Sequence, residues 1–579
     1  MKWVRFLVCC FAGLALLACG LLVPAHLRAV DAGVVQNAGK NSVTLHGEIQ
    51  ALIEKRDLGT AQILAQAAQA AELPDSGQLG VTITNLARQN PNAFFWGEDA
   101  RTETVFGDDF NPAEQDLSSF TDFVVRQKNR EAALAHLRDS QIPAVQELLR
   151  TRSLNNTVLF PSPQSGAGQA YDTAVAIAGL LLENGSESGS SGSLSENLKA
   201  NILTLATAAN RGESSQPLEE VLMDFMSLGQ RFNWDQLTAL VAPIRDPETL
   251  RQLTGQVRNV SGPTQLPVLF AAVQLSGRPD AVVKYVTEFK QTGLSDLAAS
   301  LRYGAGGVDE LVTAQQRFYH PGWERRVTAF NPFGGFYYSA ANFSRLQPVF
   351  ALAMKWLCYL LAGFFLAAAL HQARPEVTPL ERPLQVRGVH WFREFLFSVG
   401  FLLLVLLLSE PFLSQESQKG NVSLRPHLLM AGGVVPAGIT AIKQNIMNPT
   451  IILTLLIFFV LQALLYIGCL VKLAEIRRQN VPPRMKLKLL ENEDHLFDAG
   501  LYLGFVGTIV SLIIFSMGLV QFSLMAAYSS TSFGIIFVVI FKIFHLRPAR
   551  RQLLLEAEAE TASAEARLRA SAPAAALPS

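Results

Sequence analysis

The chain has 579 residues, 49% of them hydrophobic and only 17% charged, against about 25% in an average soluble protein, and its mean hydropathy is +0.24. Lys+Arg and Asp+Glu balance at 48 each, so no overall field draws nucleic acid or another polyanion. The five cysteines (Cys9, Cys10, Cys19, Cys358 and Cys469) all lie in apolar stretches, which excludes a disulfide framework and a thiolate metal site.

The N-terminus reads as a targeting segment. Lys2 and Arg5 form a basic start, and Phe6–Val23 is an apolar run of 18 residues. Three outcomes are open. Val23 and Ala25 place small residues where a signal peptidase needs them, for cleavage after Ala25, making 1–25 a signal peptide. The length of the run equally suits a retained signal anchor. Leu16-Leu17-Ala18-Cys19 has the form of a lipoprotein box, although Gly20-Leu21-Leu22-Val23 is more apolar than such a box usually precedes. Each outcome carries residue 26 onward across a membrane.

Residues 26–347 read as a large helical domain. Apolar residues recur at i, i+3, i+4 rather than in alternation. Helices are expected at 45–56, 58–72, 141–151, 196–210, 216–230, 234–243 and 246–257. Leu266–Leu275 forms another, closed by Ser276-Gly277. Pro279 opens the next over 280–291, with Val282, Val283, Val286 and Phe289 on one face, and Gly293 is expected to break it before Leu294–Leu301. Short helix pairs of this kind loosely resemble tetratricopeptide-like arrays and suggest an α-solenoid, although no strict 34-residue repeat is present. NGSESGSSGSLS at 184–195 is a flexible linker by composition, which would divide the domain into lobes 26–183 and 196–347. RFYHPGWERRVTAFNPFGGFYY at 317–338 mixes aromatics with arginines, as a collar on a membrane surface would.

Five apolar segments follow, at about 348–370, 395–413, 449–471, 499–519 and 522–541, each near the 20 residues that cross roughly 30 Å of hydrocarbon. Asp498 and Lys542 bracket 43 residues without a charge. As one helix these would span about 65 Å, twice the bilayer core, so they must fold back as a hairpin with its turn near 518–521. Arg374, Arg382 and Arg387 lie in the first link, Lys472, Arg477, Arg478, Arg484, Lys486 and Lys488 in 472–497, and Lys542, Arg547, Arg550 and Arg551 at the start of the tail. The positive-inside rule puts all three on the cytoplasmic side, in agreement with the targeting segment. The expected fold is thus all-α and polytopic: a large extracytoplasmic N-terminal domain, a membrane domain at 348–545, and a cytoplasmic tail at 546–579 of which 547–568 is an amphipathic helix. A prokaryotic inner membrane, with 26–347 periplasmic, is the simplest setting.

No catalytic constellation is present. The nine histidines share no metal-ligand spacing, and no phosphate-cradling loop or nucleophile elbow occurs. Gly166-Ala167-Gly168 begins a dinucleotide-like pattern, but Tyr171 stands where a third glycine belongs, and a turn is expected there. No metal and no cofactor is implied. Charges near membrane depth are functional candidates by default. Lys355 is expected to snorkel its ammonium to the outer surface, Glu410, before Pro411, to lie at the interface, and Asp498 to be solvated.

In the hairpin, Gly500 and Gly504 form a Gly-x-x-x-Gly pair followed by Gly507, with Thr508 and Ser511 beyond them. The second arm answers with AAYSSTSFG at 526–534, which contains Ser530, Thr531 and Gly534. So many small and hydroxyl side chains should face another helix or a narrow pore rather than lipid. LGFVGTIVSL at 503–512 is similar to the Leu-Gly-Leu-Leu-Gly-Thr-Val-x-Gly-Leu segment of the MotA/TolQ/ExbB proton-channel family, and STSFGI at 530–535 resembles the start of that family's last helix. The resemblance implies an oligomer around a partner helix that supplies an acidic proton carrier, with Thr508 and Thr531 lining the pore. The 26 residues of 472–497 stand where that family has a large cytoplasmic domain.

The sequence therefore points to a non-enzymatic multi-pass membrane protein, embedded in lipid and able to form homo-oligomers. Its external helical domain is expected to bind or scaffold a protein or envelope partner, and nucleic acid is not expected. The alternatives are a channel-like energising subunit and, third, a periplasmic enzyme whose site carries no recognisable motif.

Overall fold

The computed structural model describes residues 2–97, 105–106, 119–153, 165–184, 194–260, 262–320, 331–373, 389–411, 449–516 and 524–571. The chain divides into two compact units, one of 29–345 and one that joins 1–28 to 346–579. Both are almost entirely helical.

The 29–345 unit opens with a short strand β1 (Ala29–Asp31) and α2 (Ala32–Gly39), α1 (Lys2–Leu22) belonging to the other unit. Then come α3 (Leu45–Lys55), α4 (Leu58–Ala70), α5 (Ser76–Gln89), α6 (Pro91–Trp96), α7 (Phe120–Val125), α8 (Gln127–Arg138) and α9 (Pro143–Arg150). The second half holds α10 (Gly166–Glu183), α11 (Glu196–Asn210), α12 (Gln216–Gly229), α13 (Trp234–Val241), α14 (Pro247–Asn259), α15 (Gln265–Ser276), α16 (Pro279–Leu301) and α17 (Gly304–Ala314), then β2 (Arg317–Tyr319) and α18 (Asn331–Leu346). Local chemistry sets these boundaries. The side chains of Thr44, Ser119, Ser165, Ser195 and Asp246 each cap a helix N-terminus by accepting a backbone N–H. Proline opens α6, α9, α14 and α16.

Alternate helices stack, α8 on α10, α10 on α12, α12 on α14 and α14 on α16. The series also closes on its own beginning: α13 and α15 rest on α4, and α17 rests on α2. One hydrophobic core runs from Val30 to Phe318 and draws on both sides of the Gly/Ser run. The two lobes expected from that run are therefore one unit. Residues 185–193 of the run lie outside the described residues, and at its end Leu194 is buried while Ser195 Oγ donates to the Ile244 carbonyl at 2.6 Å.

Two further expectations are corrected. Gly166-Ala167-Gly168 is the first turn of α10, capped by Ser165, and not a loop turn. The break in α16 falls at Lys290 (φ +51°), and Gly293 stays helical. Gly293 is buried against the Tyr285 and Phe289 side chains, so its small size serves close packing instead.

The two strands pair in parallel, Val30 opposite Phe318, and bring the start and end of the unit together. Buried carboxylates hold this junction. Asp31 accepts from the Gly33 amide at 2.9 Å and from the Tyr337 hydroxyl of α18. Asp296 accepts from the Phe318 amide at 3.1 Å, from Arg317 Nε at 2.5 Å and from the Tyr285 hydroxyl at 3.2 Å. Of the expected collar at 317–338, residues 321–330 lie outside the described residues. Beyond them α18 exposes Phe336, Tyr338 and Phe343 while burying Tyr337.

The second unit consists of α1 (Lys2–Leu22), α19 (Pro348–Ala373), α20 (Val389–Ser409), α21 (Pro449–Arg478), α22 (Pro483–Asn492), α23 (Asp494–Phe497), α24 (Ala499–Ser516), α25 (Leu524–Phe541), a π turn (Lys542–Leu546) and α26 (Arg547–Ser571). Among the described residues four of its helices are long and apolar enough to cross a membrane: Trp3–Leu22, Pro348–Gln372, Leu455–Arg478 and the helix that begins at Tyr528. Glu394–Ser409 and Ala499–Ile509 are shorter apolar helices. Residues 414–448, between the second and third apolar segments, and the expected hairpin turn at 518–521 lie outside the described residues. α21 runs seven residues beyond the expected 449–471, to Arg478. Its last turns pack with α22, α23, the π turn and α26 around Leu473, Ile476, Leu490, Phe497, Leu546 and Leu553.

Candidate functional site: the glycine seam and the buried charges

The helical hairpin closes along its small residues. A methyl group on Gly534 would sit 2.6 Å from the Gly500 carbonyl oxygen, and one on Gly504 would sit 2.8 Å from the Ser530 carbonyl oxygen. At Gly507 it would meet Ser530 Oγ at 2.5 Å. α24 and α25 thus touch backbone to backbone, which only glycine permits. The Gly504 carbonyl oxygen lies 3.1 Å from Thr508 Oγ1 and 3.2 Å from Thr531 Oγ1, and the two hydroxyls touch, so that one donates to the other and the second donates to the carbonyl. Thr508 and Ser530 are buried. Ser511 lies on α24, but its side chain falls outside the described residues.

A third helix completes this seam. Gln462 of α21, 1% exposed, donates Nε2 to the Gly500 carbonyl at 3.0 Å. Phe459 packs on Phe533 and Phe537, and Tyr466 on Phe537 and Phe541. Tyr466 Oη and His545 Nε2 lie 2.9 Å apart. Asp498 was expected to be solvated. It instead pairs with Lys542 Nζ at 2.6 Å, its side chain 28% exposed, and so ties the bases of the two arms. Asp494 does the same with Arg550 at 2.6 Å.

Gly534→Val should therefore destabilise the hairpin by about 3 kcal/mol through overpacking. Gly468→Ala serves as the control. Gly468 has no heavy atom within 4 Å of an added methyl, so alanine should be neutral or stabilise by a few tenths of a kcal/mol. Thermal unfolding of both variants in detergent checks the contrast.

Charges occupy the end of a second bundle, made by α1, α19 and α20. Gly20 of α1 lies against the Tyr359 ring, where a methyl would come within 2.6 Å, and Gly13 lies against Leu366. Gly363 of α19 packs on Ser398 and Phe401 of α20, and Ser398 Oγ donates to the Leu360 carbonyl. Lys355 does not snorkel. It is 1% exposed, with Nζ 3.3 Å from Glu410 Oε1, and donates to the Ala25 carbonyl at 2.6 Å. Glu410, expected at the interface, is 7% exposed and accepts from the Leu27 amide at 2.9 Å. His26 Nδ1 sits 3.2 Å from Lys355 Nζ and 3.6 Å from Glu410 Oε2. The sequence gives no sign of His26 as a partner, because it lies 329 positions from Lys355. Only α1 packing alongside α19 brings the two together.

Comparison with protein-family models, with curated proteins and with solved structures finds no match for this chain. Among the described residues no group of three or more His, Cys, Asp or Glu side chains is placed to hold a metal ion.

A pair of carboxylates that no sequence motif marks lies in the 29–345 unit. Asp235 of α13 is buried, and its Oδ2 accepts from the Thr60 amide at 2.8 Å. Gly97 (φ +69°) leaves room for two acids at one point, because a methyl there would be 2.8 Å from Asp235 Oδ1 and 2.9 Å from Asp57 Oδ1. Burial first, and then the nearby Asp57 carboxylate, push the Asp235 carboxyl up to about 8. Asn233 and Gln236 form a capping box on α13 and bond the Phe94 and Gly59 carbonyls, which fixes α13 against α4 and α6. Asp235 is enclosed by this packing while Asp57 is half-buried, and the pair lies within the structural contact of α13 with α4 and α6.

Proposed function

We propose that this chain is a multi-pass protein of a prokaryotic inner membrane, with 26–347 on the periplasmic side and the tail in the cytoplasm. Its external unit docks a protein or envelope partner, and its spans hold that unit and mediate self-association. Five C-terminal spans are assigned, formed by α19, α20, α21, α24 and α25. The observation that carries the proposal is the 29–345 unit itself, a stack of helices on one continuous core whose entry and exit strands are paired. Helical stacks of this kind present extended surfaces for partner docking. The lysine and arginine excess of 472–497 and of the tail supports the orientation. The exposed Phe336 and Phe343, which share one side of α18, support contact with a lipid surface at the exit.

The hydroxyls of Thr508 and Thr531 bond to one another and to the Gly504 carbonyl. This favours helix packing over a pore wall. Mild crosslinking followed by purification of the full chain in detergent tests the reading. A protein crosslinked to residues within 29–345 is expected. A ring of subunits around a small single-span protein bearing a membrane aspartate, with crosslinks confined to the hairpin, would replace the scaffold by the channel-like alternative. Substrate turnover by the purified chain would overturn both.

A further inference from the structure

We infer that α1 is a permanent membrane span, and that Lys355 and Glu410 form a built receptor for the chain that leaves it. What the pair recognises is backbone. The ammonium of Lys355 meets the Ala25 carbonyl, and the carboxylate of Glu410 meets the Leu27 amide. A donor faces an acceptor and an acceptor faces a donor, on the two sides of His26, whose imidazole lies between the charges. An ion pair withdrawn from water is costly unless its remaining hydrogen-bonding capacity is used. Here Lys355 Nζ and Glu410 Oε2 both turn to one three-residue segment, 25–27, and Glu410 Oε1 is left to the Lys355 ammonium at 3.3 Å.

That segment contains the bond a signal peptidase would cut. The enzyme needs Val23 and Ala25 extended and accessible. Both are 7% exposed, and with Ala351 they form a small apolar cluster. The backbone there is folded back, since the Val23 amide bonds the Gly20 carbonyl and the Ala25 amide bonds the Val23 carbonyl. Cleavage after Ala25 would place a new α-ammonium on His26, beside the Lys355 ammonium. It would also discard the close contacts of Gly13 and Gly20 with α19. Of the three outcomes open in the sequence, this geometry selects the signal anchor.

The intact mass of the full chain, carrying a C-terminal tag and purified from membranes, tests retention. The mass of the whole chain is expected, with at most Met1 or its formyl group removed. Loss of residues 1–25, or a chain beginning at a lipidated Cys19, would overturn it. The receptor is tested separately with Lys355→Glu, Glu410→Lys and the double swap, read as the yield of monodisperse protein. The swap restores the ion pair but sets a carboxylate against a carbonyl and an ammonium against an amide. It is expected to remain at least several-fold below wild type, no better than either single variant. Recovery to the wild-type yield would reduce the site to an ion pair and remove the receptor.

Discussion

Lys355→Met alone is expected to destabilise the span-bearing unit by about 3–5 kcal/mol, because it strands the buried Glu410 carboxylate in an apolar bundle. The double variant Lys355→Met/Glu410→Gln should recover most of that. It removes both charges, and the amide oxygen of glutamine can still accept from the Leu27 N–H. The residual loss should be about 1 kcal/mol, the worth of the missing bond to the Ala25 carbonyl. Denaturant unfolding of the three proteins in one detergent measures this. The diagnostic result is the ordering, with the single variant less stable than the double. A single variant within about 0.5 kcal/mol of wild type would place Lys355 at the surface, where isolated ion pairs contribute this little.

Asp235→Asn is expected to stabilise the protein, and to do so increasingly as pH rises above about 4. The sign follows from the direction of the shift. The carboxyl titrates at about 8 in the folded chain, against an ordinary 3.8. Between those values the folded state holds a proton that the unfolded state has lost, so stability falls as pH rises from about 4 to about 8 and then levels off. At pH 8.5 and above, asparagine avoids that loss, an effect of roughly 6 kcal/mol at most. Its amide oxygen still accepts from the Thr60 N–H, and its NH2 can donate toward Asp57. At pH 4 the two proteins should be nearly equal. Melting temperatures from pH 4 to 9 check this: the gap should open with rising pH, and a pH-independent gap would assign the effect to packing instead.

What was legible in the sequence follows from the range of the forces involved. Helices set by local periodicity, caps and prolines appear within a few residues of their expected bounds, such as α11 at 196–210 and α12 at 216–229. The small-residue character of the hairpin was also legible, because Gly500, Gly504 and Gly534 announce close approach by their size alone. Gln462 was not, since its bond to Gly500 depends on where α21 lies. The errors share that cause. Lys355 and Glu410 looked like end-of-span charges with access to water, and their burial depends on α1 supplying Ala25, His26 and Leu27 from the far end of the chain. Asp57 and Asp235 are separated by nearly 180 positions and meet only because α13 packs on α4. The Gly/Ser run suggested two lobes by composition, whereas the apolar faces of α10 and α11 on either side of it join one core.

The membrane reading rests most directly on which side of the bilayer each unit occupies. Val81 and Leu555 are exposed side chains, 63% and 59% accessible, one in the 29–345 unit and one in the tail helix α26. Single cysteines introduced as Val81→Cys and Leu555→Cys can be labelled in intact spheroplasts with a membrane-impermeant maleimide, against the parent protein as background. Labelling of residue 81 without permeabilisation, and of residue 555 only after it, is the expected result. Equal access to both residues from outside, or access to 555 alone, would contradict it.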